Sequence, residues 1–145
     1  MATSNVLPDL AAVDALAASI APQLIAGDVL LLSGPMGAGK TTFTRALVIA
    51  LGGDPDQVAS PTFTLMHHYA ATIPVVHVDA YRLAEAEELA AIGFDEACEG
   101  AIACVEWPER AAELFSPKEC WRIALDHHDG HGRLVSVELP QRGSE

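Results

Sequence analysis

The chain is poor in positive charge. Its 145 residues carry 8 Lys+Arg against 20 Asp+Glu, a formal net charge of −12, and the only lysines are Lys40 and Lys118. Nucleic-acid affinity rests on neutralising phosphates with such residues, so a broad DNA- or tRNA-gripping face is not expected. No apolar run approaches the roughly 18 residues that a membrane span needs, and Met1 to Asp9 carries no Lys or Arg ahead of an apolar stretch, unlike a secretory signal. The three cysteines, Cys98, Cys104 and Cys120, form no CxxC pair and are odd in number. That usage suits reduced thiols and a cytoplasmic location better than a disulfide-stapled secreted domain. Internal repeats and linker-like segments are also absent, so one domain over residues 1–145 is expected. Against these absences, 50% of the residues are hydrophobic, enough for a full core and too many for a disordered chain.

The patterning alternates helices with strands. Asp9 stands where a helix cap belongs, ahead of Val13, Leu16, Ala17, Ile20 and Leu24 at helical spacing, and Pro22 predicts a break near Ala21. Val29–Leu32 reads as a strand buried on both faces, as in a parallel sheet. Thr41 to Leu51 reads as a helix stopped by Gly52-Gly53. Phe63 to Tyr69 and Val75 to Asp79 read as a hairpin, and Ala84 to Ala91 as helix followed by an irregular stretch. Ala101 to Val105 is a second buried strand, and Pro108 to Leu114 is helical. Trp121 to Leu125 and Leu134 to Leu139 are strands separated by the turn Asp126 to Gly132. The expected fold is α/β, a single domain with a mixed sheet and helices on both faces, and GxxxxGKT at positions 34–41 between strand and helix makes it a single-domain P-loop NTPase fold.

The strongest chemical signal is Gly34-Pro35-Met36-Gly37-Ala38-Gly39-Lys40-Thr41. It satisfies GxxxxGK[ST] and sits between a buried strand and a helix, the context the motif requires. Glycines let backbone N–H groups converge on phosphate oxygens, and the following helix turns its positive end toward them. Lys40 is expected to reach the terminal phosphates of ATP, and the Thr41 hydroxyl to ligate Mg²⁺. Two acids end strands, Asp79 after Val75–Val78 and Glu106 after Ala101–Val105. Open α/β sheets bind ligands at the carboxyl ends of their strands, so both are candidates to face the phosphates. Strand alternation puts His77 on the same face as Asp79. Ser60-Pro61-Thr62 offers two hydroxyls on a proline-stiffened loop, readable as a nucleotide-ordered switch or as an ordinary turn. The His/Asp turn 126–131 reads as a solvated hairpin tip or, less in keeping with its polarity, a metal site. Arg82 has two readings, approach to phosphate or pairing with the acids Glu85, Glu87 and Glu88.

Four separated segments together resemble a known family: Gly37–Thr42, Ser60-Pro61-Thr62-Phe63, His77-Val78-Asp79-Ala80-Tyr81-Arg82-Leu83 and Val105-Glu106-Trp107-Pro108-Glu109. In order and spacing the chain is similar to the bacterial tRNA threonylcarbamoyladenosine biosynthesis ATPases, the TsaE (YjeE) family. The resemblance spans nearly the whole chain; the phosphate loop is generic, whereas HxDxYRL and EWPE are specific. It implies an ATP-binding and hydrolysing subunit required for modification of tRNA next to the anticodon, with TsaD and TsaB as partners and tRNA met only through their complex. It further implies that Gly37, Ala38, Gly39, Lys40, Thr41 and Thr42 hold the phosphates and that Thr41 and Glu106 hold Mg²⁺. Asp79 would be the catalytic carboxylate, Thr62 would position or sense the terminal phosphate, and Trp107 would lie beside the nucleotide. Asp9 and Arg133 match the places from which family members contact the base. Pro35-Met36 departs from the Asp-Leu of many relatives, in the variable part of the loop. A small-molecule kinase is the alternative, but such enzymes gather arginines on the transferred phosphate, and the six arginines here are scattered. A GTPase switch would show an NKxD guanine-reading segment, and none is present.

Overall fold

The computed structural model describes residues 2–58, 65–130 and 132–141. Strands β1 (Ala2–Leu7), β2 (Val29–Ser33), β3 (Met66–Tyr69), β4 (Val75–Asp79), β5 (Ile102–Glu106), β6 (Trp121–His127) and β7 (Arg133–Glu138) form one sheet in the order β1-β7-β6-β2-β5-β4-β3. The four central strands, β6, β2, β5 and β4, are mutually parallel, and antiparallel pairs flank them on both sides. The carboxyl ends of β2, β4 and β5 therefore emerge along one edge, where a ligand site is expected.

Helix α1 (Leu10–Ile20) starts where Asp9 Oδ1 accepts the Ala12 N–H at 2.9 Å. It gives way to a 3-10 turn, Ala21–Gln23, as Pro22 withdraws a backbone donor. Helix α2 (Lys40–Ala50) follows the glycine loop. Together α1 and α2 cover one sheet face, where Phe43, Leu47, Leu30, Leu32 and Ile123 share a core. On the other face, Leu89, Phe94 and Ala111 pack on Val76, Val78, Ala103 and Val105. Removing any of the large buried side chains would cost about 2–5 kcal/mol.

Three local differences from the sequence expectations have physical causes. Helix α3 spans Glu87–Ala91 rather than beginning at Ala84, because the Glu88 carboxylate accepts the N–H groups of Ala84 and Glu85 at 2.7 and 3.0 Å and caps the chain there. The stretch read as irregular contains a second short helix, α4 (Phe94–Cys98), set off by Gly93 at φ 84° and anchored by buried Phe94. Strand β1 was not anticipated: Thr3, Ser4 and Asn5 give little strand signal, and the pairing comes from six register partners on β7. The Pro108–Leu114 segment is 3-10 helix, interrupted at Ala111. The hairpin 66–79 and the turn between β6 and β7 form as expected, residues 63 and 64 of the anticipated first strand lying outside the described residues. Among the described residues, no helix is long and apolar enough to cross a membrane.

Candidate functional site

The loop 34–39 leaves β2 at the ligand edge and closes on itself. Gly34 has φ 140°, and a Cβ there would run into the carbonyl oxygen of Leu125 on β6, so the loop passes the sheet with no room for a side chain. Gly39, at φ 105°, is the first residue of the turn into α2. The Lys40 side chain curls back over this loop, its ammonium donating to the carbonyls of Gly34 at 2.6 Å and Pro35 at 3.0 Å. Lys40 Nζ also sits 4.2 Å from the centre of the Trp107 ring, a cation–π contact. Burial pushes the Lys40 pKa below its ordinary value, against the opposing pull of Glu106, Asp79 and Glu109.

Opposite the loop stand the two acids that end β4 and β5. They are register partners on adjacent parallel strands, Asp79 beside Glu106. Glu106 is 5% exposed, and its Oε2 accepts the Thr41 hydroxyl at 2.8 Å, tying the start of α2 to β5. Asp79 Oδ1 accepts the Tyr81 N–H at 3.0 Å as the chain turns out of β4. Trp107, directly after Glu106, is the only described non-glycine residue with a positive φ, 58°. A left-handed backbone costs roughly 1–2 kcal/mol for such a residue, and strain of this kind gathers at functional sites. Its ring packs on Tyr81, with centroids 5.0 Å apart, and the Arg110 guanidinium covers Tyr81 at 4.7 Å.

On the other side of the loop a cavity of about 410 Å³ opens between α1, α2 and β7. Asp9, Val13, Gly39, Thr42, Leu125 and Arg133 line it. Its size falls in the usual small-ligand range of about 300–1,000 Å³, and its walls combine apolar side chains with a few polar groups. Asp9 and Arg133, 124 positions apart in the chain, thus meet one cavity that is continuous with the phosphate loop.

The structure therefore brings together Lys40, Thr41, Asp79, Glu106 and Trp107, with Gly37, Ala38, Gly39, Thr42, Asp9 and Arg133 on or beside the same loop. Ser60, Pro61 and Thr62 lie outside the described residues, as do His131 and the side chain of Arg82. Asp126 and His127, expected in the turn, extend β6 instead; beyond them the His128 N–H donates to Gly132 O at 3.2 Å, and His127 Nε2 donates to the Met36 carbonyl at 3.2 Å, laying this end of the hairpin against the phosphate loop. The sequence reading gave no site role to Tyr69 or to His77. His77 and Tyr69 are fully buried behind Glu106, His77 Nε2 lying 2.6 Å from Glu106 Oε2 and Tyr69 Oη 2.8 Å from His77 Nδ1. The available signals were the strand alternation that set His77 on the face of Asp79 and its place at the head of the HxDxYRL segment.

The donor set suits a nucleotide with its divalent cation. Glycines at 37 and 39 flank Ala38, whose side chain is buried, so backbone N–H groups there are open to phosphate, and the Thr41 hydroxyl and Glu106 carboxylate are hard oxygen donors already in contact with each other.

Residues 7–135 match the family model described as threonylcarbamoyl adenosine biosynthesis protein TsaE. The chain is 37% identical over 123 residues to the tRNA threonylcarbamoyladenosine biosynthesis protein TsaE of Rickettsia conorii, covering 84% of this chain and 70% of that one. It is 37% identical over 113 residues to the protein of the same name from Mycobacterium tuberculosis, covering 71% and 67%. Its fold is similar to the crystal structure of Bacillus subtilis YdiB, with a TM-score of 0.73 and 28% identity over 94% of this chain and 84% of that one.

Proposed function

The chain belongs to the TsaE family, and from that premise we propose that it is an ATP-binding and hydrolysing subunit required for threonylcarbamoyladenosine modification of tRNA next to the anticodon, acting on a TsaB–TsaD complex in the cytoplasm. One observation carries the ATPase reading above all. The 2.8 Å bond between Thr41 and Glu106 joins a phosphate loop to a strand-end carboxylate 65 residues away, the pairing that phosphoryl-transfer sites use.

Catalysis of phosphoryl transfer is mainly positioning and electrostatic stabilisation, and each residue has a task of that kind. The N–H groups of the 37–42 segment and the amino end of α2 cradle the phosphates. Lys40 leaves the Gly34 and Pro35 carbonyls to meet the terminal phosphates, and Trp107 keeps its ammonium over the loop. Thr41 and Glu106 hold Mg²⁺, which when bound supplies neutralising charge to the phosphate oxygens. Asp79, next to Glu106 on the sheet edge, orients the attacking water by accepting its hydrogen bond. The base occupies the cavity between Asp9 and Arg133. Hydrolysis is weak alone and rises in the complex, because partner proteins can add the transition-state cations that complete such a site. The protein does not modify tRNA itself; it resets TsaB–TsaD between turnovers.

The test is phosphate release from ATP by wild type and Asp79→Ala, alone and with TsaB, TsaD and tRNA. Slow release, stimulated by the complex and lost in Asp79→Ala while ADP still binds, is the expected result. A phosphorylated small molecule in place of free phosphate would establish a kinase instead. Full tRNA modification by a reconstituted system carrying Lys40→Ala would refute the proposed role.

A further inference from the structure

Behind the site lies a buried polar chain whose rear members, His77 and Tyr69, no step above employs. It crosses three neighbouring strands, from Tyr69 on β3 through His77 on β4 to Glu106 on β5, and passes on to Thr41 at the start of α2. Every bond in it is short: 2.8 Å from Tyr69 Oη to His77 Nδ1, 2.6 Å from His77 Nε2 to Glu106 Oε2, and 2.8 Å from Thr41 Oγ1 to the same Oε2. Tyr69, His77 and Glu106 are 3%, 0% and 5% exposed, so water does not stand in for any of these partners.

The direction of the chain follows from its acceptor. A carboxylate only accepts, so the hydrogen between His77 and Glu106 belongs to Nε2. At Nδ1 the ring meets the Tyr69 hydroxyl, which donates to a lone pair or accepts an N–H there, so the bond holds in either charge state of the imidazole. Tyr69 thereby fixes the orientation of the ring. Without a hydrogen on Nε2, its lone pair would face the carboxylate at 2.6 Å and repel it.

We propose that His77 is a positioning residue for the cation-binding carboxylate Glu106, and that Tyr69 holds the His77 ring in the orientation that does this. The assignment rests on the nucleotide and Mg²⁺ reading above and deepens it. Thr41 and His77 both bond Oε2, but they differ in what ligand binding asks of them. The Thr41 hydroxyl oxygen is itself a hard donor for a cation, so its hydrogen bond to Glu106 is one that binding reorganises. The His77 bond comes from the sheet interior and persists, keeping the carboxylate aimed at the ligand edge of the sheet throughout. Partners of this kind behind metal-binding groups change metal affinity by about 10–100-fold when removed.

The experiment measures ADP affinity by calorimetry, in EDTA and across a Mg²⁺ titration, for wild type, His77→Leu, His77→Gln and Tyr69→Phe, with a thermal melt of each. ADP affinity in EDTA should stay within about twofold of wild type in every folded variant, since only the cation's carboxylate loses its support. The Mg²⁺ concentration at half-effect should rise about tenfold or more in His77→Leu and by a smaller factor in Tyr69→Phe. In His77→Gln, whose amide N–H restores a donor, it should fall part of the way back. Lowered melting temperatures with an unmoved Mg²⁺ midpoint would overturn the proposal and leave the chain a purely structural network. Should His77→Leu not fold, Tyr69→Phe and His77→Gln decide alone, and an unmoved midpoint in both overturns it. A wild type that binds no ADP, or binds it indifferently to Mg²⁺, refutes the nucleotide reading itself and is thereby distinguishable.

Discussion

Replacing Lys40 with methionine separates what the lysine does for the fold from what it does for a ligand. Without ligand, its ammonium has two carbonyl acceptors, at 2.6 and 3.0 Å, and the face of Trp107 at 4.2 Å. Even so, its pKa is held below the ordinary value because burial outweighs the attraction of Glu106, Asp79 and Glu109. The charged form is therefore less at home in the folded protein than in the unfolded chain. Methionine keeps the unbranched apolar stem and removes the charge, so Lys40→Met should leave stability within about 1 kcal/mol of wild type or raise it. The pH dependence has a definite sign. Below the lowered pKa, Lys40 is charged in both states and its unfavourable contribution is complete. Between that pKa and 10.5 the unfolded chain binds more protons, so wild type gains on Lys40→Met as pH rises. Ligand binding should respond in the opposite direction. Loss of one charge-assisted contact to phosphate, about 2–3 kcal/mol, weakens ATP by about 30–150-fold. Urea unfolding at several pH values and calorimetric titration with ATP·Mg²⁺ measure both effects. A stability loss above about 2 kcal/mol at neutral pH, or unchanged ATP affinity, would refute this account of Lys40.

Three further outcomes are expected. Asp79→Asn keeps the oxygen that accepts the Tyr81 N–H, so nucleotide affinity should hold while phosphate release falls about 100-fold or more; undiminished release would remove Asp79 from the chemistry. Gly34→Ala should cost more than about 3 kcal/mol in a denaturant melt, because its Cβ meets the backbone of Leu125 and its φ is 140°; a wild-type melt would show that the loop can shift away from β6. Burial pushes the Cys98 thiol up to about 11 and Cys104 to about 12 from 9.0. At pH 8 native Cys98 should then react with a maleimide roughly 100-fold more slowly than in the unfolded chain, in proportion to its thiolate, and equal rates would contradict the burial.

The site was legible where its residues are contiguous or end a strand. Gly34 to Thr41 carries its own context, and Asp79 and Glu106 follow apolar runs whose ends a parallel sheet must bring to one edge. Asp9 and Arg133 could be drawn together only through the family resemblance, since the cavity they share depends on β7 returning beside α1. The bond between His77 and Glu106 was not legible at all. It needs β4 to lie next to β5 with His77 opposite Cys104, and a register between positions 27 residues apart leaves no local pattern. For the same reason β1 escaped notice, being an edge strand whose partner is at the far end of the chain. Helix α4 was hidden by Gly93 and by its length of five residues, too short for a period to emerge.

The acidity bears on the site as well as on the surface. Ten acids fall between Glu85 and Glu119 against Arg110 and Lys118, and of these ten only Glu106 is buried. The segment's helices pack on the sheet face opposite α1 and α2, so the exposed acids cover a flank that would repel RNA, as the proposed route to tRNA through protein partners requires. Closer in, the Lys40 ammonium feels three carboxylates, Glu106, Asp79 and Glu109. That balance favours a cation arriving and disfavours a bare polyphosphate. On the proposed function, a site so arranged would accept its nucleotide chiefly as the complex with a divalent cation, because the cation would offset both the phosphate charge and that of Glu106. The proposed dependence on cation would thus follow from the same excess of carboxylates that marks the whole chain, and would give the orientation of Glu106 by the buried His77 and Tyr69 its purpose.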